Sequence, residues 1–211
     1  MKLQIALDGE LQESLTILQA VHAFVDIAEV GTPLIFREGM SAVQHLRRTF
    51  PTLPLLADLK IMDAGEEEAT IAFAAGCSLV TVLGVTQEAT LRGALAAAGR
   101  FGGQIMVDMM QVPDPIPQAR RFLAMGCHYL CVHTAHDLQA AQTPLATLRQ
   151  LRQELPDAPL AVAGGINPDT IDAVAALRPA IIIVGSAITQ AAKPAQAARM
   201  LRERIQAHDP V

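Results

Sequence analysis

Tryptophan is missing from this chain, tyrosine occurs once, and aromatic residues make up only 3% of it. Binding to nucleic acid leans on a basic stripe with interleaved stacking aromatics. Here the formal net charge is −5 and the two signs are interspersed, which excludes a nucleic-acid partner. No apolar run reaches the roughly 18 residues that a membrane span requires. Met1-Lys2-Leu3-Gln4 leads straight into a short strand and Asp8, which leaves no room for a signal peptide. A cytoplasmic protein without a membrane partner is expected. Ser/Gly-rich linkers, charge blocks and low-complexity tracts are also wanting, so residues 1–211 read as one domain. Cysteine is sparse and odd in number: Cys77, Cys127 and Cys131. Along a strand Cys127 and Cys131 stand about 13 Å apart, too far to share an ion with His128. All three are expected to be buried, reduced thiols.

What is present is aliphatic. Hydrophobic residues are 51% of the chain, mostly Ala, Val, Ile and Leu, the composition of parallel strands covered on both faces. Short apolar runs read as strands at Leu3–Leu7, Val25–Val30, Leu53–Leu59, Leu79–Leu83, Gln104–Met109, Tyr129–Val132, Leu160–Ala163 and Ala180–Val184. Helical stretches lie between them, such as Glu66–Ala75, Gln87–Arg100, Pro117–Met125, Pro144–Glu154 and Pro168–Ala176, several closed by Gly76, Gly102, Gly126 or Pro156. The strand-end markers Asp8, Glu29, Asp58, Val82, Asp108, His133, Ala163 and Val184 recur at intervals of 21 to 30 residues. Eight such units predict an α/β fold, a single-domain (β/α)8 TIM barrel. An open doubly wound sheet would call for a Gly-x-Gly-x-x-Gly turn after an early strand, and the chain has none.

Active sites in this barrel sit at the C-terminal strand ends. The side chains expected there are Asp8, Glu29, Asp58 with Lys60, Asp108 and His133. In an extended strand, side chains two apart share a face, so Asp58 and Lys60 should point the same way, with Asp63 in the turn beyond. A structural ion pair is the alternative, since buried charges are costly unless paired. Glu29 and Asp58 end neighbouring strands and suit one hard divalent cation such as Mg²⁺, which takes one or two carboxylates and completes its shell with oxygens of water and substrate. A Glu29–Lys60 salt bridge is the competing arrangement. Asp8 and Asp108 are expected to orient Lys60 or to bind substrate hydroxyls. His133 is the natural group to move a proton beside a carbonyl, and His136 in the loop beyond meets either substrate or solvent. Strands seven and eight end instead in Ala163-Gly164-Gly165-Ile166 and Val184-Gly185-Ser186-Ala187. Gly164, Gly165, Gly185 and Ser186 fit a phosphate, which this fold places after its last two strands. Asn167-Pro168 reads as N-cap and first residue of the next helix, and a short helix is expected near Ala187–Ala191. His22, His45, His128 and His208 carry no functional expectation.

Asp58-x-Lys60-x-x-Asp63 on the third strand resembles the orotidine 5′-phosphate decarboxylase superfamily. Ile27-Ala28-Glu29-Val30-Gly31-Thr32-Pro33, Lys60-Ile61-Met62-Asp63-Ala64-Gly65, Val80-Thr81-Val82-Leu83-Gly84-Val85, Val132-His133-Thr134 and the two glycine turns resemble, in order, the 3-hexulose-6-phosphate synthase family. The resemblance implies condensation of formaldehyde with D-ribulose 5-phosphate to D-arabino-3-hexulose 6-phosphate, with Mg²⁺. It implies Glu29 and Asp58 as metal ligands, Lys60 as enediolate stabiliser, His133 as acid/base, and Gly165, Gly185 and Ser186 at the phosphate. It also implies a homodimer in which Asp63 reaches the neighbouring subunit's site. The sister family, 3-keto-L-gulonate-6-phosphate decarboxylase, usually carries arginines where His136 and Ser186 stand and glutamate at Asp108, and these departures favour the synthase. Ala135-His136, however, replaces the glycine and small residue usual in synthases. Ribulose-phosphate 3-epimerase needs an acid where Ala163 stands. A sugar-phosphate binder without catalysis is the rival from a different class.

Overall fold

The computed structural model describes residues 1–139 and 141–209. The expected 1–211 domain is therefore described apart from Ala140, Pro210 and Val211, which lie outside the described residues.

Elements alternate along the chain: β1 (Lys2–Leu7), α1 (Leu11–Val21), β2 (Ile27–Val30), α2 (Thr32–Glu38), α3 (Met40–Thr49), β3 (Leu55–Ile61), α4 (Gly65–Ala75), β4 (Leu79–Leu83), α5 (Glu88–Phe101), β5 (Gln104–Asp108), α6 (Pro115–Ala124), β6 (Tyr129–His133), α7 (Leu145–Glu154), β7 (Leu160–Ala163), α8 (Ile171–Ala175), β8 (Ile181–Val184), α9 (Ser186–Thr189) and α10 (Pro194–Gln206). All neighbouring strands pair in parallel, and β8 closes on β1 with Lys2 opposite Ile181. The expected (β/α)8 barrel is the observed fold.

Strand alternation divides each β-segment between two cores. Outward residues such as Val30, Ala57, Val80 and Val107 meet the helices. Inward residues Ile27, Leu56, Leu79, Met106, Cys131, Ala161 and Ile181 fill the barrel. Two positions further along each strand, the next inward layer is Glu29, Asp58, Thr81, Asp108, His133, Ala163 and Ile183. The polar top layer is thus one pleat repeat above an apolar plug.

The small residues allow the helices to pack closely. A Cβ on Gly65 would overlap the carbonyl oxygen of Thr90, and one on Gly93 would come within 2.9 Å of the Glu66 amide nitrogen, so α4 and α5 touch backbone to backbone. The floor of the barrel is stapled twice in the same manner. Arg47 donates from Nε to the Gly76 carbonyl and from Nη1 to those of Pro51 and Leu53, each at 2.9 Å. Arg152 repeats this half a barrel later with Leu177, Pro156 and Ala158. Likewise the Leu3 amide donates to Asp26 at 2.7 Å and the Ile105 amide to His128 Nδ1 at 3.1 Å. His128 is therefore a structural acceptor. These bonds tie the floor of the barrel together, and the loops at the other end border the polar top layer.

Three local expectations need correction. β3 runs through Ile61 and contains Asp58 and Lys60, because two extra residues are accommodated against β4: Ala57 faces Val80, while Ile61 faces Val82. Lys60 is in the left-handed region, with φ 48°, so this stretch is a bulge and not an extended segment. Asn167-Pro168 does not begin a helix: Asn167 Oδ1 accepts the Asp169 amide at 2.8 Å in a turn, and α8 starts only at Ile171. The helix expected near Ala187–Ala191 is α9, which begins one residue earlier, at Ser186, and ends two residues earlier, at Thr189.

Candidate active site

A cavity of about 670 Å³ opens at the C-terminal ends of the strands. Its wall includes Asp8, Glu29, Asp58, Lys60, Asp108 and His133, and on the other side His136, Gly164, Gly165, Gly185 and Ser186. All the expected site residues share this space except Asp63. That side chain is exposed, outside the cavity wall of its own chain, with Oδ1 accepting the amide of Ala64 at 2.8 Å.

Asp58 is the hub. It is buried, and its Oδ2 pairs with Lys60 Nζ. Thr32 Oγ1 stands 2.9 Å from the same oxygen and 2.6 Å from the Asp58 carbonyl oxygen, and lies 3.3 Å from Lys60 Nζ. Thr81 Oγ1 donates to Asp58 Oδ1 at 2.8 Å and accepts the Lys60 backbone N–H at 2.9 Å. Asp58 and Lys60 do share a direction, but through a left-handed kink held by a threonine and not through strand alternation. Burial alone would depress the Lys60 ammonium. The charge and hydrogen bond of Asp58, with the charges of Asp108 and Glu29, outweigh it and raise Lys60 above its usual value. Lys60 is therefore a standing cation and not a base.

Glu29 is also buried, and its partner is Gln4, whose Nε2 donates to Oε2 at 2.5 Å; the Glu29–Lys60 salt bridge does not form. Burial, then repulsion by Asp58, pushes the Glu29 carboxyl well above the usual range, and the Gln4 bond only partly offsets this. Gln4 Oε1, likewise enclosed, has no hydrogen-bond partner in the structure. A buried carboxyl repelled by a second buried carboxylate is the donor set a divalent cation relieves. Among the described residues no three His, Cys, Asp or Glu side chains converge as a complete metal cage. A two-carboxylate set suits Mg²⁺, which keeps several waters, better than Zn²⁺, which wants three or four protein ligands.

Asp108 is 2% exposed; its charge acts on Lys60, while its side chain is bonded to His133 and to the backbone. Its Oδ2 is 2.7 Å from His133 Nδ1, and its Oδ1 accepts the Met110 amide at 2.9 Å. A carboxylate only accepts, so this pair places the ring proton on Nδ1 and leaves Nε2 as the accepting nitrogen. His136 stands at the rim, its side chain 95% exposed. Asp8 is also exposed at the mouth. On the facing wall, Gly164 (φ 101°) and Gly165 (φ 69°) are both left-handed, and a Cβ on Gly164 would strike the Thr134 carbonyl.

Gln4, Thr32 and Thr81 were missed by sequence reasoning. Gln4 and Thr81 each had a signal: they are polar residues at inward positions of apolar strands. Taking Val82 as the fourth strand's marker chose the outward face instead, and Val184 on β8 does the same where Ile183 faces in. Thr32 had no comparable signal. The thiols are as expected. All three cysteines are free and buried; burial pushes Cys77 and Cys127 up to about 12 and Cys131 well above its ordinary value.

Comparison with known proteins agrees with this geometry. The family model described as orotidine 5′-phosphate decarboxylase / HUMPS family matches residues 1–201. The 3-hexulose-6-phosphate synthases of Staphylococcus haemolyticus and Bacillus subtilis are 41% and 40% identical, over 98% and 97% of this chain and 99% of each relative. The crystal structure of 3-hexulose-6-phosphate synthase from Salmonella typhimurium superposes with a TM-score of 0.96 at 42% identity, covering 99% of this chain and 100% of that one. A 3-keto-L-gulonate-6-phosphate decarboxylase from Vibrio cholerae superposes at 0.87 with 31% identity, covering 99% of both chains. The chain belongs to the orotidine 5′-phosphate decarboxylase / HUMPS family and is an enzyme of the lyase type, like the synthases it matches over its full length.

Proposed function

We propose that the enzyme is a Mg²⁺-dependent aldolase that joins D-ribulose 5-phosphate to formaldehyde, giving D-arabino-3-hexulose 6-phosphate. The observation that carries this reading is the meeting, in one cavity, of a raised lysine cation on Asp58 with a histidine whose free nitrogen is set by Asp108. Identities near 40% to proteins named 3-hexulose-6-phosphate synthase, against 31% to the Vibrio cholerae decarboxylase, favour the synthase over its sister.

His133 Nε2 removes a proton from C1 of the sugar, and the electron pair moves into the C1–C2 bond as negative charge grows on the C2 oxygen. The Lys60 ammonium faces that charge without having to reorganise, which is where a fixed cation contributes most. Mg²⁺, held by Glu29 and Asp58, supplies further stabilisation of oxyanion charge when bound. C1 of the enediolate then attacks the formaldehyde carbon. The new alkoxide takes the proton back from His133 as the C2 carbonyl re-forms, so protons and electrons balance. Gly164, Gly165, Gly185 and Ser186 receive the phosphate on the opposite wall, and Asp8 and His136 border the entrance.

The family resemblance further suggests a homodimer with Asp63 serving the neighbouring site. Its exposure outside its own cavity supports this, as do the exposed apolar side chains Phe36 on α2, Met62 after β3 and Val85 after β4. The cytoplasm is the proposed compartment, in keeping with three unpaired thiols.

The test is direct. Purified protein with Mg²⁺ and ribulose 5-phosphate in D2O should exchange the C1 hydrogen, and should consume formaldehyde once it is added. Decarboxylation of 3-keto-L-gulonate 6-phosphate without formaldehyde fixation would replace the synthase by its sister activity. Binding without either reaction would leave only a sugar-phosphate binder.

A further inference from the structure

We infer that Thr81 is a positioning residue for Lys60 and Asp58, the side chain that converts a bulge in β3 into a lysine–carboxylate pair aimed into the cavity. The inference rests on the proposed use of that pair.

The backbone poses the problem that Thr81 solves. Between the paired positions Ala57–Val80 and Ile61–Val82, Asp58, Leu59 and Lys60 face the single β4 residue Thr81. Regular ladder pairing cannot satisfy every amide there. The Lys60 N–H turns to a side chain, Thr81 Oγ1, at 2.9 Å. The same hydroxyl donates its one proton to Asp58 Oδ1 at 2.8 Å. One acceptor site and one donor site are thus used once each, with no conflict. Thr81 is 5% exposed, so water competes little for either bond.

The consequence is conformational. Lys60 sits at φ 48°, a region that non-glycine residues enter only at a cost and keep only when their surroundings require it. Anchoring its amide to Thr81 holds that kink, and the kink carries Nζ onto Asp58 Oδ2. Asp58 is fixed from both sides: Thr81 holds Oδ1, leaving Oδ2 to Lys60 and Thr32. β-Branching restricts χ1 of threonine, so the hydroxyl is pre-set between its two partners where a serine would be freer. Valine has nearly the same shape but neither donates nor accepts.

The experiment compares Thr81→Val, Thr81→Ser and Thr81→Ala by steady-state kinetics with ribulose 5-phosphate and formaldehyde, and by crystal structures of each variant. Displacement of a catalytic group by about 1 Å costs on the order of a hundredfold in rate. Thr81→Val should therefore lose roughly a hundredfold in kcat, while KM for the sugar phosphate stays within about threefold because the glycine turns of β7 and β8 are untouched. Thr81→Ser should recover most of that kcat, and its structure should keep Lys60 left-handed. In the Val structure Lys60 should leave that conformation and Nζ should part from Asp58. A merely structural Thr81 would lower the melting temperature in Val and Ser alike and leave kcat per folded molecule unchanged, and that result overturns the inference. If the Val chain does not fold, Thr81→Ala against Thr81→Ser makes the same comparison. If the wild-type enzyme turns over neither substrate, the proposed function fails, while the Lys60 geometry in the variants still decides the role of Thr81.

Discussion

Replacing Asp108 by asparagine tests the His133 reading sharply, because the change is isosteric and the structure dictates how the amide must sit. In the wild-type chain both carboxylate oxygens accept: Oδ1 from the Met110 amide at 2.9 Å, and Oδ2 from His133 Nδ1 at 2.7 Å. Asparagine has one oxygen and one NH2 group. The Met110 N–H can only donate, so the oxygen stays with it. The alternative leaves a part-buried backbone donor unmatched, at a cost of up to about 1–3 kcal/mol. The NH2 group then faces His133 Nδ1, which has to accept, and the ring proton moves to Nε2. A histidine in that tautomer cannot take the C1 proton. Loss of a hydrogen bond to a charged group alone is worth about 1.5–3 kcal/mol, or roughly 10- to 150-fold. The wrong tautomer adds to this, and the comparable aspartate-to-asparagine change in a serine-protease triad lowers turnover about 10⁴-fold. Asp108→Asn should therefore lose between about 10² and 10⁴ in kcat for both C1 exchange and formaldehyde consumption, with KM little changed. Nitrogen-15 NMR of the labelled imidazole should show the proton moving from Nδ1 to Nε2. Turnover within about threefold of wild type, with the proton still on Nδ1, would refute the assignment of His133 as a base oriented by Asp108.

Other outcomes follow from the same geometry. Glu29 holds its proton in the folded chain at pH values where the unfolded chain has released it. Metal-free protein should therefore be stabilised by this group below its ordinary value and lose that advantage as pH rises toward the raised one; Glu29→Gln should flatten the difference in melting temperature between about pH 5 and about pH 8, and saturating Mg²⁺ should flatten it in the wild type. Gly164→Ala forces a side chain into a φ of 101° against the Thr134 carbonyl, so it should raise KM for the sugar phosphate by at least about tenfold and lower the melting temperature, read by kinetics and calorimetry. A thiol reagent at neutral pH should modify none of the three cysteines in the native protein and all three after unfolding, since burial holds Cys77 and Cys127 near about 12 and Cys131 well above its ordinary value. Modification of the native enzyme would show that the barrel opens far more readily than its packing implies.

Much was legible before any coordinates. The aliphatic runs recur at the spacing of β-α units, and each is bounded by turn residues, so the barrel and the order of its strand ends follow from local pattern. Gly164-Gly165 after Ala163 and Gly185-Ser186 after Val184 were legible for the same reason: such residues mark turns. Polar residues at the ends of apolar strands point to one mouth because a closed parallel barrel has all its C-terminal ends on one side. Which of those polar groups would touch was a different matter. Glu29 pairs with Gln4 from β1, His133 with Asp108 from β5, and Asp58 with Thr32 and Thr81 from its two flanking units. None of these contacts lies within one local segment, and each depends on the stagger of the strands around the barrel. Lys60 is the clearest case. Alternation along an ideal strand gives the correct direction for its side chain, yet the direction arises from a bulge and a left-handed residue anchored on the next strand. Sequence alone determined the architecture and the set of charged groups at its mouth, because periodicity and turn chemistry act over a few residues. Only the tertiary structure decided the pairings, the cation state of Lys60 and the tautomer of His133, because these depend on register, burial and charge brought together from strands far apart in the chain.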